Sequence, residues 1–163
     1  MSVWYYCDMK TILIPTDFDE ASVRRTHDLV KSLKKEEVKI IFFHAYKLTD
    51  SISDLLMLSR RSTDYAQIPE EFHRECYALR EVYGETVKLL GIEYFYGSTM
   101  ASFRNFAEAN EVDAIYYPES YTFRKISKYS IDPVLFLDKS GIPVIHVTPE
   151  PMVQEVLTAD LCY

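Results

Sequence analysis

Short continuous apolar runs alternate along the chain with segments whose apolar residues recur every third or fourth position. Thr11-Ile12-Leu13-Ile14-Pro15 is such a run, of the kind expected of a strand covered on both faces. Asp19 and Glu20 follow, the first suited to cap a helix and the second to its positive end. The predicted helix carries Val23, Val30 and Leu33 on one side and runs to about Lys35, with Lys31, Lys34 and Lys35 at the end where cations are favoured. Val38 to Ala45 reads as a second buried strand, and residues 46–68 as a long connection with at most one short helix near Leu55-Leu56-Met57-Leu58.

Ile68-Pro69-Glu70-Glu71 marks the next helix start, with proline at the first position and acids in the first turn. Phe72, Cys76, Leu79, Tyr83, Val87 and Leu90 recur at steps of three and four, so the periodicity predicts one helix up to Gly91, which supplies the stop. Ile92 to Tyr96 reads as the third strand, and Gly97-Ser98-Thr99 leads into a helix with Met100, Phe103, Phe106 and Ala107 inward. Asp113 to Tyr117 reads as the fourth strand, residues 118–131 as an irregular loop, Asp132-Pro133 as a helix start and Ile142 to Val147 as the fifth strand. Five buried strands alternating with about four helices predict an α/β fold, an open, doubly wound parallel sheet.

Composition narrows the function. The 163 residues, 48% of them hydrophobic, suit one domain, with an aromatic extension at 1–8, the domain proper at 9–148 and a tail at 149–163. A net charge of −7 makes nucleic acid and anionic membranes poor partners. Only four glycines occur, Gly84, Gly91, Gly97 and Gly141, so neither G-x-G-x-x-G nor a Walker A loop can be written. Cys7, Cys76 and Cys162 are an odd number without C-x-x-C spacing, which speaks against a disulfide framework or a zinc knuckle. With no signal-like start and no apolar run near the ~20 residues of a membrane span, the expected location is the cytoplasm.

Four stretches together resemble the universal stress protein family. They are Ile12-Leu13-Ile14-Pro15-Thr16-Asp17 with Ala21-Ser22; Phe42-Phe43-His44-Ala45; Gly97 with Phe106-Ala107-Glu108 and Val112-Asp113-Ala114-Ile115; and Ile142-Pro143-Val144-Ile145-His146-Val147. The resemblance implies a five-stranded sheet of order 3-2-1-4-5, of the adenine nucleotide alpha hydrolase-like type. ATP-binding relatives are similar to one another in a G-x2-G-x9-G-[S/T] loop after the fourth strand, whose glycines let backbone amides approach phosphate. Laid on this chain, that spacing falls on Pro118, Tyr121, Ile131 and Asp132. All three glycines are missing, and Asp132 sets a negative charge beside the expected phosphate.

Candidate sites follow from the same comparison. Asp17 stands where open α/β sheets bind ligands and matches the acid that holds the adenosine end in ATP-binding relatives; it reads equally as a turn aspartate satisfying helix amides. Asp17 with Asp19 is too little for a metal. Arg124, Lys125 and Lys128, among Tyr121, Phe123 and Tyr129, form either an electropositive clamp or a solvated loop whose aromatics fill the nucleotide pocket. If ATP or another anionic ligand binds, the residues expected to hold it are Thr16, Asp17, Ala45, Arg124, Lys125 and Lys128.

His44 reads as a strand histidine, Cys76 as core, and no serine or cysteine is placed by spacing to complete a nucleophile and base. The absence of H-x-G-H argues against a nucleotidyltransferase. The expected function is therefore a non-enzymatic, dimeric stress-response or interaction module that does not bind ATP and has no cofactor, with an unknown protein partner as one role. The alternative is a nucleotide- or anion-binding regulator using Asp17 and the basic loop. The resemblance implies a homodimer built on Val144, Ile145, His146 and Val147, where two facing imidazoles would repel once protonated, so acid is expected to weaken it. Trp4-Tyr5-Tyr6 and the Leu55 to Leu58 run are read as core satellites or interface.

Overall fold

The computed structural model describes residues 9–33, 36–47, 65–118 and 121–147. The extension at 1–8 with Cys7, Lys34 and Lys35 at the predicted end of the first helix, the Leu55 to Leu58 run, and the tail with Cys162 lie outside the described residues.

Among these residues the elements run β1 (Lys10–Pro15), α1 (Glu20–Ser32), β2 (Val38–Tyr46), α2 (Glu70–Val82), β3 (Val87–Tyr96), α3 (Met100–Ala109), β4 (Ala114–Tyr116), α4 (Val134–Lys139) and β5 (Val144–Ile145). All paired strands are parallel, and the sheet order is β3-β2-β1-β4-β5, the order expected from the sequence. Successive strand residues point to opposite faces, which splits the apolar runs into two cores. Ile12, Ile14, Ile40 and Phe42 pack with Val23, Leu29 and Phe72 of α1 and α2. Leu13, Ile41 and Phe43 pack on the other face with Phe103 of α3 and Leu137 of α4.

Local chemistry sets the helix starts. Asp19 caps α1 by accepting the Ser22 N–H at 3.3 Å. Thr99 and Ser102 cap α3 reciprocally. Asp132 accepts the Val134 N–H at 3.0 Å at the start of α4. Along α3 three of the four residues expected inward pack there: Phe103 and Ala107 are buried and Phe106 is half-buried against the same core, while Met100 at the helix start is only half-buried.

Two expectations need correction. The helix predicted to reach Gly91 ends at Val82, and Val87 and Leu90 lie in β3. The Thr86 and Val87 amides both turn back to the Tyr83 carbonyl, at 2.9 and 2.7 Å, and the chain leaves as a strand. Pairing with β2 decides this, because β2 runs nine residues and β3 matches it from Val38↔Val87 to Tyr46↔Tyr96. A helical period continuing through Val87 and Leu90 cannot be told from a strand's buried positions until that partner is present. Gly91 is then an ordinary mid-strand residue with nothing within 4 Å of an added Cβ.

The second correction is the fifth strand, predicted over Ile142–Val147 and found only at Val144–Ile145. Its neighbour β4 has three residues and offers two partners, Ile115↔Val144 and Tyr116↔Ile145. Pro143 has no N–H to extend the ladder, although its carbonyl accepts from Ile115 at 2.9 Å. His146 lies just past the strand, exposed, and Val147 packs partly against the first core.

Candidate functional site

The carboxyl ends of β1 and β2 carry the candidate site. As β1 ends, Thr16 keeps its place in the sheet by donating its N–H to the Phe43 carbonyl at 2.9 Å. Its hydroxyl accepts the Phe18 N–H at 2.9 Å and meets Ser22 Oγ at 2.7 Å. Ser22 Oγ in turn donates to the Asp19 carbonyl, so the Thr16 proton must point to Ser22 and the turn is closed by its own side chains.

Phe18 sits at φ 60°, a left-handed backbone rare for a bulky residue. That conformation sends its ring into the core, 5.2 Å from the Phe72 ring and 5.5 Å from Tyr94. It leaves Asp17 facing the crevice between β1 and the segment that follows β4.

That segment, 121–131, lies over the crevice. The Arg124 N–H donates to Asp17 Oδ2 at 2.9 Å. The Ile131 N–H donates to the Ala45 carbonyl at 3.0 Å, and the Lys47 N–H to the Tyr129 carbonyl at 2.8 Å. Tyr46 and Ser130 form an isolated antiparallel bridge. The Ile131 side chain packs into the second core.

His44 pins the same segment from below. Its Nδ1 lies 2.8 Å from the Thr16 carbonyl and its Nε2 2.8 Å from Ser130 Oγ, with the Phe123 ring stacked at 6.5 Å. Burial lowers its proton affinity. Ser130 is the residue that sequence reasoning missed: 86 positions separate it from His44, and no spacing links them.

Ser130 and His44 are 3% and 2% exposed, and Ser130 Oγ also accepts the Ile126 and Ser127 N–H groups, so with the segment in this position the pair is enclosed and its hydroxyl fully engaged.

Asp17 has an unusual environment. It is 8% exposed, and its Oδ1 has no hydrogen-bond partner. Burial pushes its carboxyl up to about 6, opposed by the Arg124 N–H and reinforced by Asp19 and Asp132. The Tyr121 phenol is raised well above its ordinary value by burial and by the Asp17 charge.

The expected site residues thus meet unevenly. Thr16, Asp17 and the Ala45 carbonyl come together, each already engaged by the chain. The Arg124, Lys125 and Lys128 side chains are exposed, and Lys128 lies over the Tyr129 ring at 5.0 Å. Among the described residues no group of three or more His, Cys, Asp or Glu is placed to hold a metal, and no helix is long and apolar enough to cross a membrane.

A groove of about 1070 Å³ opens at the opposite, amino end of the sheet, lined by Thr11, Arg104, Glu108, Asp113 and Ile142 among others. Its charges are mixed, and Asp113 is engaged by the Thr11 N–H at 2.9 Å, so the groove has no organised chemistry despite its size.

Strand order, parallel pairing and a crevice at the strand ends define an open α/β protein of the doubly wound class. Within that class the chain has the universal stress protein fold. The hypothetical protein PH0823 is similar at TM-score 0.53 and 19% identity, covering 87% of this chain and 99% of that one. The universal stress protein UspA from Lactobacillus plantarum is similar at TM-score 0.50 and 15% identity, covering 85% and 97%. No family model matches the chain, and no curated protein matches it.

Proposed function

We propose that the chain is a universal stress protein-like, non-enzymatic interaction module that does not bind ATP and works as a homodimer. The observation that carries the first part is that segment 121–131 already engages two of the groups expected to hold a nucleotide, Asp17 through the Arg124 N–H and the Ala45 carbonyl through the Ile131 N–H. ATP would have to break both bonds and place its phosphates beside Asp132 and the bulk of Tyr121, with none of the backbone amides that glycines expose. Calorimetry with Mg-ATP is expected to show no heat of binding at micromolar concentrations. Micromolar binding, or ATP carried through purification, favours an anion-binding regulator instead; replacing Arg124, Lys125 and Lys128 by Ala would then abolish it.

The dimer reading rests on β5, an edge strand of the sheet, where backbone groups beside Val144 and Ile145 that pair with no further strand among the described residues invite a second copy. Val144→Asp buries a charge in that contact and is expected to turn a dimer into a monomer at tens of micromolar by light scattering. A native chain that is monomeric at that concentration rejects the reading. If His146 faces its copy across the two-fold axis, acid weakens the native dimer more than that of His146→Gln, a comparison made at pH 8 and pH 5.5.

A further inference from the structure

Segment 121–131 is fastened by two buried titratable groups, and hydrogen bonding assigns the state of one of them without reference to its acidity. Ser130 Oγ accepts the Ile126 and Ser127 N–H groups at 3.2 and 3.1 Å. Both its lone pairs are used, so its own proton is directed at His44 Nε2, 2.8 Å away. Nε2 is therefore bare. Nδ1 faces a carbonyl, which only accepts, and must carry the ring proton. The closed segment thus requires a neutral imidazole.

The second fastening is Asp17, whose Oδ2 accepts the Arg124 N–H and whose Oδ1 is buried without a partner, 3.9 Å from His44 Nδ1. The charged and titratable groups around it are Asp19, Arg124, Asp132 and Tyr121. Those touching His44 are Asp17 and the rings of Tyr46 and Tyr94, with Phe18 and Phe123 completing the enclosure.

We propose that segment 121–131 is a latch whose closure, in mildly acidic solution, moves one proton from the His44 imidazole to the Asp17 carboxyl. When the segment is open and both groups meet water, histidine holds a proton at about pH 6.5 and aspartate only at about pH 3.9, so a single shared proton sits on the imidazole. Closure removes both from water and disfavours both charges. Neutral imidazole and neutral carboxyl hold the same one proton without burying an ion pair. The proton leaves the imidazole and is taken up at the carboxylate, with no net exchange with solvent.

The acidity shifts run in the matching directions, Asp17 upward and His44 downward, burial being the main cause of each. By linkage, acid drives closure through Asp17 and opening through His44. Acting on one segment, the two oppose each other, so closure of the native chain depends less on acidity than either group alone would make it. The latch then answers chiefly to whatever displaces the Arg124 amide or the Ser130 hydroxyl. This inference rests on the position of the segment and is independent of whether ATP binds.

Amide exchange of Arg124, Ile131 and Lys47, corrected for chemical exchange rates, reads the opening of the latch in the native chain, in Asp17→Asn and in His44→Gln. Between pH 7.5 and pH 5, Asp17→Asn is expected to open about tenfold more readily and His44→Gln about tenfold less readily, with the native chain changing by less than either. Slopes of the same sign in the two variants, or a native slope steeper than both, overturn the proposal. If a variant does not fold, nuclear magnetic resonance of the native chain decides: Asp17 titrating near 6 with His44 as the Nδ1–H tautomer supports it. Asp17 titrating near 4, or an Nε2–H tautomer, rejects it.

Discussion

Phe72→Ala is expected to lower stability by about 3–5 kcal/mol, the range for emptying a large aromatic site in a close-packed core. Phe72 is fully buried and makes edge-to-face contacts with Phe18 at 5.2 Å and Phe42 at 5.4 Å. The loss reaches the site as well as the core. Phe18 holds a left-handed backbone next to Asp17, and such a conformation persists only while its surroundings enforce it. With the Phe72 ring gone, the Asp17 turn loses the surface that its neighbour is pressed against. Urea unfolding measures the first effect, and the Arg124 amide, bonded to Asp17, reports the second. A loss below about 1 kcal/mol would show that the two rings are not packed as described.

Asp17→Asn is expected to stabilise the protein at pH 8, by about 1–3 kcal/mol at one pKa unit per 1.4 kcal/mol. Because the folded carboxyl titrates at about 6 and the unfolded one near 3.9, the native state binds protons more tightly than the unfolded chain between those values. The stability contributed by the protonated group is fully present below about pH 4 and is lost as pH rises through 6. Above that, native Asp17 is an ionised group with one oxygen unpartnered, a state its burial disfavours.

Asparagine retains an acceptor for the Arg124 N–H and carries no charge. The advantage of the variant should therefore appear between pH 4 and pH 6, be complete by pH 8 and vanish in acid. Urea midpoints of both proteins at pH 4, 6 and 8 test the sign. A variant less stable than the native chain at pH 8 would mean that the ionised carboxylate is a net stabilising partner of the turn.

The sheet was legible because it rests on local pattern. Ile12 to Ile14 and Ile40 to Phe43 are apolar on both faces, and that pattern calls for helices on both sides and hence the doubly wound class. The Asp19 cap and the helix start at Asp132 are equally local, since a short side chain and an amide two or three residues on suffice. Legibility failed where an element's fate depended on a distant partner. Val87 and Leu90 continue a helical period, but β2 takes them as strand. Val144 and Ile145 end early because β4 has nothing further to pair with.

The crevice divides in the same way. Sequence alone placed Asp17 at the end of β1 and removed the glycines from the loop after β4, because both are matters of residue type at a position. It left Asp17 as either a ligand residue or a turn residue. Only the folded chain brings Arg124 to Asp17, Ile131 to Ala45 and Ser130 to His44, across sequence separations of 107 residues for the first pair and 86 for the last. Such contacts leave no period and no motif, because each depends on one backbone amide or hydroxyl whose position the whole sheet sets. The sequence determined which groups stand at the strand ends, and the tertiary structure decided that the chain's own loop engages them.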